Sequence, residues 1–86
     1  MSHAPDYASM IRFLTSKKFL RDHSAAVDPD TPLVSSGMLD SFALIEVVHE
    51  LEKITALKIP ASKVAPRDLN TVRQMFATAT RVGMPR

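Results

Sequence analysis

Apolar side chains recur at three- and four-residue spacing in three stretches of the chain, and each stretch is bounded by residues that start or stop helices. In the first, Tyr7, Met10, Ile11, Leu14 and Phe13 follow Asp6, a good N-cap, and predict a helix from Asp6 to about Arg21. Lys17, Lys18 and Arg21 fall in its last turns, where cations suit the helix dipole. The second stretch has the fullest stripe: Leu44, Ile45, Val47, Val48, Leu51 and Ile54 share one face, and Glu46, Glu50 and Glu52 lie mostly off it. A helix beginning after Asp40 and running through about Ile54 follows. The third opens on Thr71-Val72-Arg73-Gln74, which has the form of a capping box. Val72, Met75, Phe76, Ala79 and Val82 supply its inner face, and Gly83 and Pro85 end it.

The segments between these helices lack such periodicity. His23 to Leu39 contains Pro29, Pro32 and Gly37, and a connection this long in so small a domain is either functional or pinned to the core. Leu33, Val34, Met38 and Leu39 are the residues available to pin it, and Gly37 suits a positive φ angle just before the second helix. Leu57, Ile59 and Val64 fall among Pro60 and Pro66, which leave room for a short helical turn. No stretch reads as a strand. The expected fold is therefore all-α: a small bundle of three main helices, a short helical turn, and a long loop between helices 1 and 2.

Composition narrows the class. With 45% hydrophobic and 23% charged residues, the 86-residue chain can bury one core and has no room for a second. It is expected to be a single domain over 1–86, with its core at about 6–82, flexible termini and a monomeric state. No apolar run reaches bilayer length, and the first ten residues carry Asp6 and no apolar core of a secretory signal. The absence of cysteine excludes disulfides, thiolate metal sites and a Cys nucleophile, and fits a cytoplasmic protein.

Charge is unevenly distributed behind a net of +2. Residues 40–54 set Asp40, Glu46, Glu50 and Glu52 against Lys53, a net of −3. Residues 55–86 set Lys58, Lys63, Arg67, Arg73, Arg81 and Arg86 against Asp68 alone, a net of +5. This pattern gives a molecule with two different faces. It does not suit a helix-turn-helix nucleic-acid reader, because two prolines and a long connection separate the second helix from the basic third one. Catalysis is equally poorly served. His3, His23 and His49 have no metal-ligand spacing, and only Gly37 and Gly83 are available for a phosphate loop. Ser41 and His49 share a predicted helix with roughly 12 Å of axial rise between them, too far for a nucleophile–base pair. The chain is not expected to be an enzyme.

The remaining feature is Gly37-Met38-Leu39-Asp40-Ser41-Phe42. Taken alone, Asp40 is a sufficient N-cap and Ser41 an ordinary first helical residue. The same position also exposes a hydroxyl where a helix N-terminus favours a phosphate ester.

Here the chain resembles the acyl and peptidyl (aminoacyl) carrier proteins. Their loop ends in Gly-x-Leu/Ile-Asp-Ser-Leu/Met. The resemblance continues through Leu51-Glu52, Leu57-Lys58-Ile59-Pro60 and Thr71-Val72, over more than half the chain. It implies a four-helix-bundle carrier whose Ser41 receives a 4′-phosphopantetheine arm from coenzyme A. A separate phosphopantetheinyl transferase would read Asp40 and place the arm. The arm's thiol would then hold cargo as a thioester, passed between enzymes. The docking surface maps onto Phe42, Ile45, Glu46, His49 and Glu50. Each also has a plainer reading: Ile45 fits the core as well, Phe42 can fold back on Leu39, His49 can be an ordinary surface histidine, and the acids can simply solvate the helix. Phe42 in place of Leu or Met is a variant associated with D-alanyl carriers. Ala43 stands where fatty-acid carriers commonly have an acid, and the chain is mildly basic where those carriers are strongly acidic. The implied cargo is thus an amino acid or specialised acyl group, supplied by an adenylating ligase and passed to downstream acyl-transferring enzymes. The competing class is a helical protein-interaction domain with no prosthetic group.

Overall fold

The computed structural model describes residues 6–16, 20 and 26–85. It contains α1 (Tyr7–Ser16), α2 (Ser41–Thr55), β1 (Leu57–Lys58), two 3₁₀ helices (Ala61–Lys63 and Pro66–Leu69), α3 (Val72–Val82) and β2 (Met84–Pro85). The three-helix architecture agrees with the hydrophobic pattern. Two 3₁₀ helices, rather than one turn or a fourth α-helix, occupy the segment between α2 and α3. The part of helix 1 expected beyond Ser16, with Lys17, Lys18 and Arg21, lies outside the described residues, as do His3 and His23.

Each helix starts where its side-chain chemistry dictates. Asp6 accepts the Ser9 N–H at 3.1 Å and the Ser9 hydroxyl at 2.6 Å, which holds its carboxyl below the usual range. Asp40 accepts the Ala43 N–H at 2.9 Å. At α3 the box closes in both directions, with Gln74 N–H donating to Thr71 Oγ1 at 3.0 Å and Thr71 N–H donating to Gln74 Oε1 at 3.2 Å. Met10, Leu14, Val47, Leu51, Val72 and Met75 meet between the helices with no exposed surface.

The expectation of no strand is corrected. α2 ends on Ala56 in the left-handed conformation at φ 59°, which turns the chain into β1. β2 returns antiparallel to it, pairing Leu57 with Pro85 and Lys58 with Met84. Gly83 permits this approach. A Cβ there would collide with the Ala79 carbonyl oxygen and press on Leu57 at 2.9 Å. Two residues per strand are too few to show an alternating pattern, so local sequence gives no sign of the pair.

The long loop is pinned, and more firmly than its apolar residues suggested. Leu33 is fully buried and Leu39 nearly so, with Val34 and Met38 half-buried beside them. Beyond this packing, the Asn70 side chain accepts the N–H groups of both Val34 and Ser35 at 2.8 Å and donates to Ser35 Oγ at 3.2 Å. Its carbonyl accepts the Leu33 N–H at 2.7 Å. Further along, Arg73 grips Asp30 with two bonds of 2.7 and 3.1 Å and lies over the Tyr7 ring, which itself meets Phe76 edge-on. The bond from Arg73 holds the Asp30 carboxyl below the usual range. That tie is intact at neutral pH and is lost as pH falls through the lowered pKa of Asp30.

Two truncations test this packing. Leu51→Ala is expected to cost about 2–5 kcal/mol by emptying a fully buried site. Asn70→Ala should cost about 1–3 kcal/mol because the Val34 amide, half-buried in the loop, loses its acceptor. Urea unfolding midpoints read both, and a parent-like melt for either variant contradicts the corresponding contact.

Candidate functional site

The loop delivers Ser41 in defined steps. Gly37 takes φ 79°, closing a turn in which its N–H donates to the Val34 carbonyl at 3.1 Å. The Leu39 N–H donates to the Leu33 carbonyl at 3.0 Å, and the Leu39 side chain plugs the core. Asp40 is then extended and caps α2 through Ala43. Ser41 emerges as the first helical residue, exposed, and its hydroxyl has no hydrogen-bond partner among the described residues. Neighbouring first-turn N–H groups have no intrahelical acceptor, so the hydroxyl sits at the positive end of α2.

Helical geometry sorts the residues that follow. Ala43, Leu44, Val47 and Leu51 turn inward. Phe42 is 84% exposed and Ile45 59%, so both choices left open by the sequence resolve outward: Phe42 does not fold onto Leu39, and Ile45 is not core. Glu46 and His49 are exposed and Glu50 is half-buried. The structure thus puts Ile45 and His49 on the flank of α2 that bears Ser41, and Glu46 and Glu50 toward the α1 flank. Ala43 is buried, so the position where an acid is common in fatty-acid carriers faces the core here.

On the flank of α2 that bears Ser41 runs an apolar groove of about 360 Å³. Leu44, Ile45 and Val48 form one wall, and Ile59, Val64 and Leu69 the other. Glu52 ties the second wall to the helix by accepting the Ile59 N–H at 2.8 Å. Asp68 braces it through the Ala65 N–H at 2.9 Å, and its carbonyl accepts the Thr78 hydroxyl at 2.9 Å. These ties were not evident in the sequence, where Glu52 is one of three acids lying mostly off the apolar face. A broader, polar hollow of about 810 Å³ lies on the opposite flank between α1 and α2, lined by residues that include Arg12, Phe13, Glu46 and Glu50. Ser41 does not line that hollow, so its greater volume does not bear on the serine's chemistry.

Among the described residues no group of three His, Cys, Asp or Glu side chains is placed to hold a metal ion. Among the described residues no base is hydrogen-bonded to Ser41. An exposed hydroxyl at a helix N-terminus suits modification by another protein's active site.

Residues 17–82 match the family model described as the phosphopantetheine attachment site. The chain belongs to the phosphopantetheine-binding carrier family. Among its relatives is the D-alanyl carrier protein of Streptococcus equi subsp. zooepidemicus (strain MGCS10565), 34% identical over 63 residues that cover 73% of this chain and 77% of the relative. That of Streptococcus uberis (strain ATCC BAA-854 / 0140J) is 37% identical over 57 residues, covering 66% and 70%. That of Streptococcus pyogenes serotype M1 is 36% identical over 62 residues, covering 72% and 76%. No solved structure is significantly similar to the chain. The family's cofactor is covalently attached 4′-phosphopantetheine. As a carrier protein, the chain works with enzymes that load and unload it. Among the described residues no helix is long and apolar enough to cross a membrane.

The cap of this carrier's α2 can be tested directly. Asp40→Ala should lower stability by about 0.5–2 kcal/mol, with Asp40→Ser recovering most of the loss because a serine hydroxyl can accept the same amide. Equal unfolding midpoints for Asp40→Ala and the parent would remove the cap from the account.

Proposed function

We propose that Ser41 is the attachment residue and that the chain carries an aminoacyl or specialised acyl group for partner enzymes. The observation that carries the reading is the free Ser41 hydroxyl at the N-terminus of α2, beside an apolar groove and in register with the family motif. Ser41 would hold the arm as a phosphodiester through Oγ, where the helix dipole favours negative charge by about 0.3–1 kcal/mol. When bound, the arm supplies a terminal thiol on which cargo is held as a thioester. The chain's residues fix that anchor and exhibit it. Asp40 sets the start of the helix and is the acid offered to the phosphopantetheinyl transferase.

Phe42, Ile45 and His49 offer a small surface for brief docking, and Glu46 and Glu50 steer cationic partners toward it. We place the carrier in the cytoplasm as a monomer and a single domain over 1–86. Its loader is an adenylating ligase, and its product goes to downstream acyl-transferring enzymes. The D-alanyl carrier relatives, Phe42 after the serine, buried Ala43 and the net charge of +2 all support cargo other than housekeeping fatty acids.

Co-expression with a broad-specificity phosphopantetheinyl transferase should add one phosphopantetheine to the intact mass, and Ser41→Ala should abolish the gain. The modified protein should then accept D-alanine from an adenylating ligase that loads D-alanyl carriers, and should not support malonyl loading followed by elongation. No mass gain, or a gain that persists in Ser41→Ala, refutes the attachment site. Efficient elongation refutes the cargo assignment.

Reversing Glu46 or Glu50 to Lys should slow loading at low ionic strength and leave circular dichroism unchanged. At high salt the defect should shrink, because steering acts on encounter. Undiminished loading of both variants at low salt would place the docking surface elsewhere.

A further inference from the structure

The two flanks of α2 differ in charge. Glu46 and Glu50 lie on the α1 flank, away from the groove, and neither forms an ion pair among the described residues. Across the groove, residues 58–67 carry Lys58, Lys63 and Arg67 and no acid, and all three cations are exposed. Lys63 and Arg67 are sequence neighbours of Val64 and Pro66, which line the groove. Nothing among the described residues neutralises them. Asp68, the one acid after residue 54, is turned to the Ala65 amide and lies 3.6 Å from Arg81 of α3. Among the described residues the other cation of this half with a carboxylate partner is Arg73, which is engaged by Asp30.

We propose that the 58–67 wall is a cationic recognition strip for an acidic protein surface. A cognate enzyme would then present a bipolar face, with cations against Glu46 and Glu50 and carboxylates against Lys63 and Arg67. The strip accounts for selectivity better than for tight binding. Exposed charges change encounter rates and penalise like-charged partners more than they add affinity. An enzyme whose docking rim is uniformly cationic meets attraction on α2 and repulsion on the facing wall. The inference rests on the reading of Ser41 as attachment site only in that partners must approach the groove.

Two readouts separate the strip from that reading. The unmodified protein is titrated with a synthetic Glu-rich decapeptide at about 20 mM salt, and amide shifts are followed by NMR. Shifts should concentrate at residues 58–67, exceed those at Arg73 and Arg81, and vanish in the double reversal Lys63→Glu/Arg67→Glu. Phosphopantetheinylated parent and double variant are then offered to a malonyl transferase chosen for a cationic active-site rim. The variant should load about tenfold faster at low salt, and the two should converge near 0.5 M salt. Shifts spread evenly over all cations, or equal loading rates at low salt, overturn the proposal. So does tighter binding of an anionic vesicle or an oligonucleotide than of the peptide, which would assign the strip to another class of partner. Failure to attach the arm counts against Ser41 and leaves the peptide titration to decide the strip.

Discussion

The placement of Ser41 depends on the grip of Asn70 on the loop that precedes it. Residues 26–40 form no helix or strand, and a free loop of this length would leave its end undefined. Asn70 accepts two loop amides with one side-chain oxygen and a third with its own carbonyl. It can do so because the capping box at Thr71 fixes the next residue in the chain. The loop is thereby referenced to α3. From Leu33 the order passes through the Leu39 amide to Asp40 and Ser41, so the serine stands at the end of a hydrogen-bonded path that starts before α3.

α2 then serves several demands with one turn-by-turn pattern. Its inner residues are committed to the core, which leaves the outer face free for Phe42 and Ile45 at no cost to packing. Large exposed apolar side chains are unfavourable in isolation, so their presence beside an available hydroxyl is informative. Glu52 illustrates the opposite case. It belongs to the acidic segment, yet it stabilises the groove's second wall through the Ile59 amide and is committed to structure. The acidic segment is therefore divided into a cap at Asp40, a tie at Glu52 and two acids, Glu46 and Glu50, with no ion pair among the described residues.

Much of this arrangement was legible in the sequence. The α2 stripe, the capping box at Thr71, the positive φ at Gly37 and the burial of Leu33 and Leu39 all follow from local rules and were observed. Ser41 could be singled out because a short motif fell in register with landmarks further along the chain. Long-range contacts were not legible. Asn70 and Ser35 are 35 residues apart, and an Asn before a helix cap reads as an ordinary turn residue. The β1–β2 pair depends on Gly83 approaching Leu57, a contact between distant segments with no periodic signature. Ile45 lay at the edge of the apolar stripe, where helical spacing alone does not assign a side, and only the packed neighbours turn it outward.

The central claim is that the clasp at Asn70 and the cap at Asp40 form one cooperative unit displaying Ser41. Amide hydrogen exchange in the parent and in Asn70→Ala tests it most directly. Val34, Ser35 and Ala43 should exchange slowly in the parent and lose protection together in the variant, while Leu51 in the core of α2 stays protected. Loss of protection at Val34 and Ser35 with Ala43 unchanged would contradict it, because the start of α2 would then be set independently of the loop.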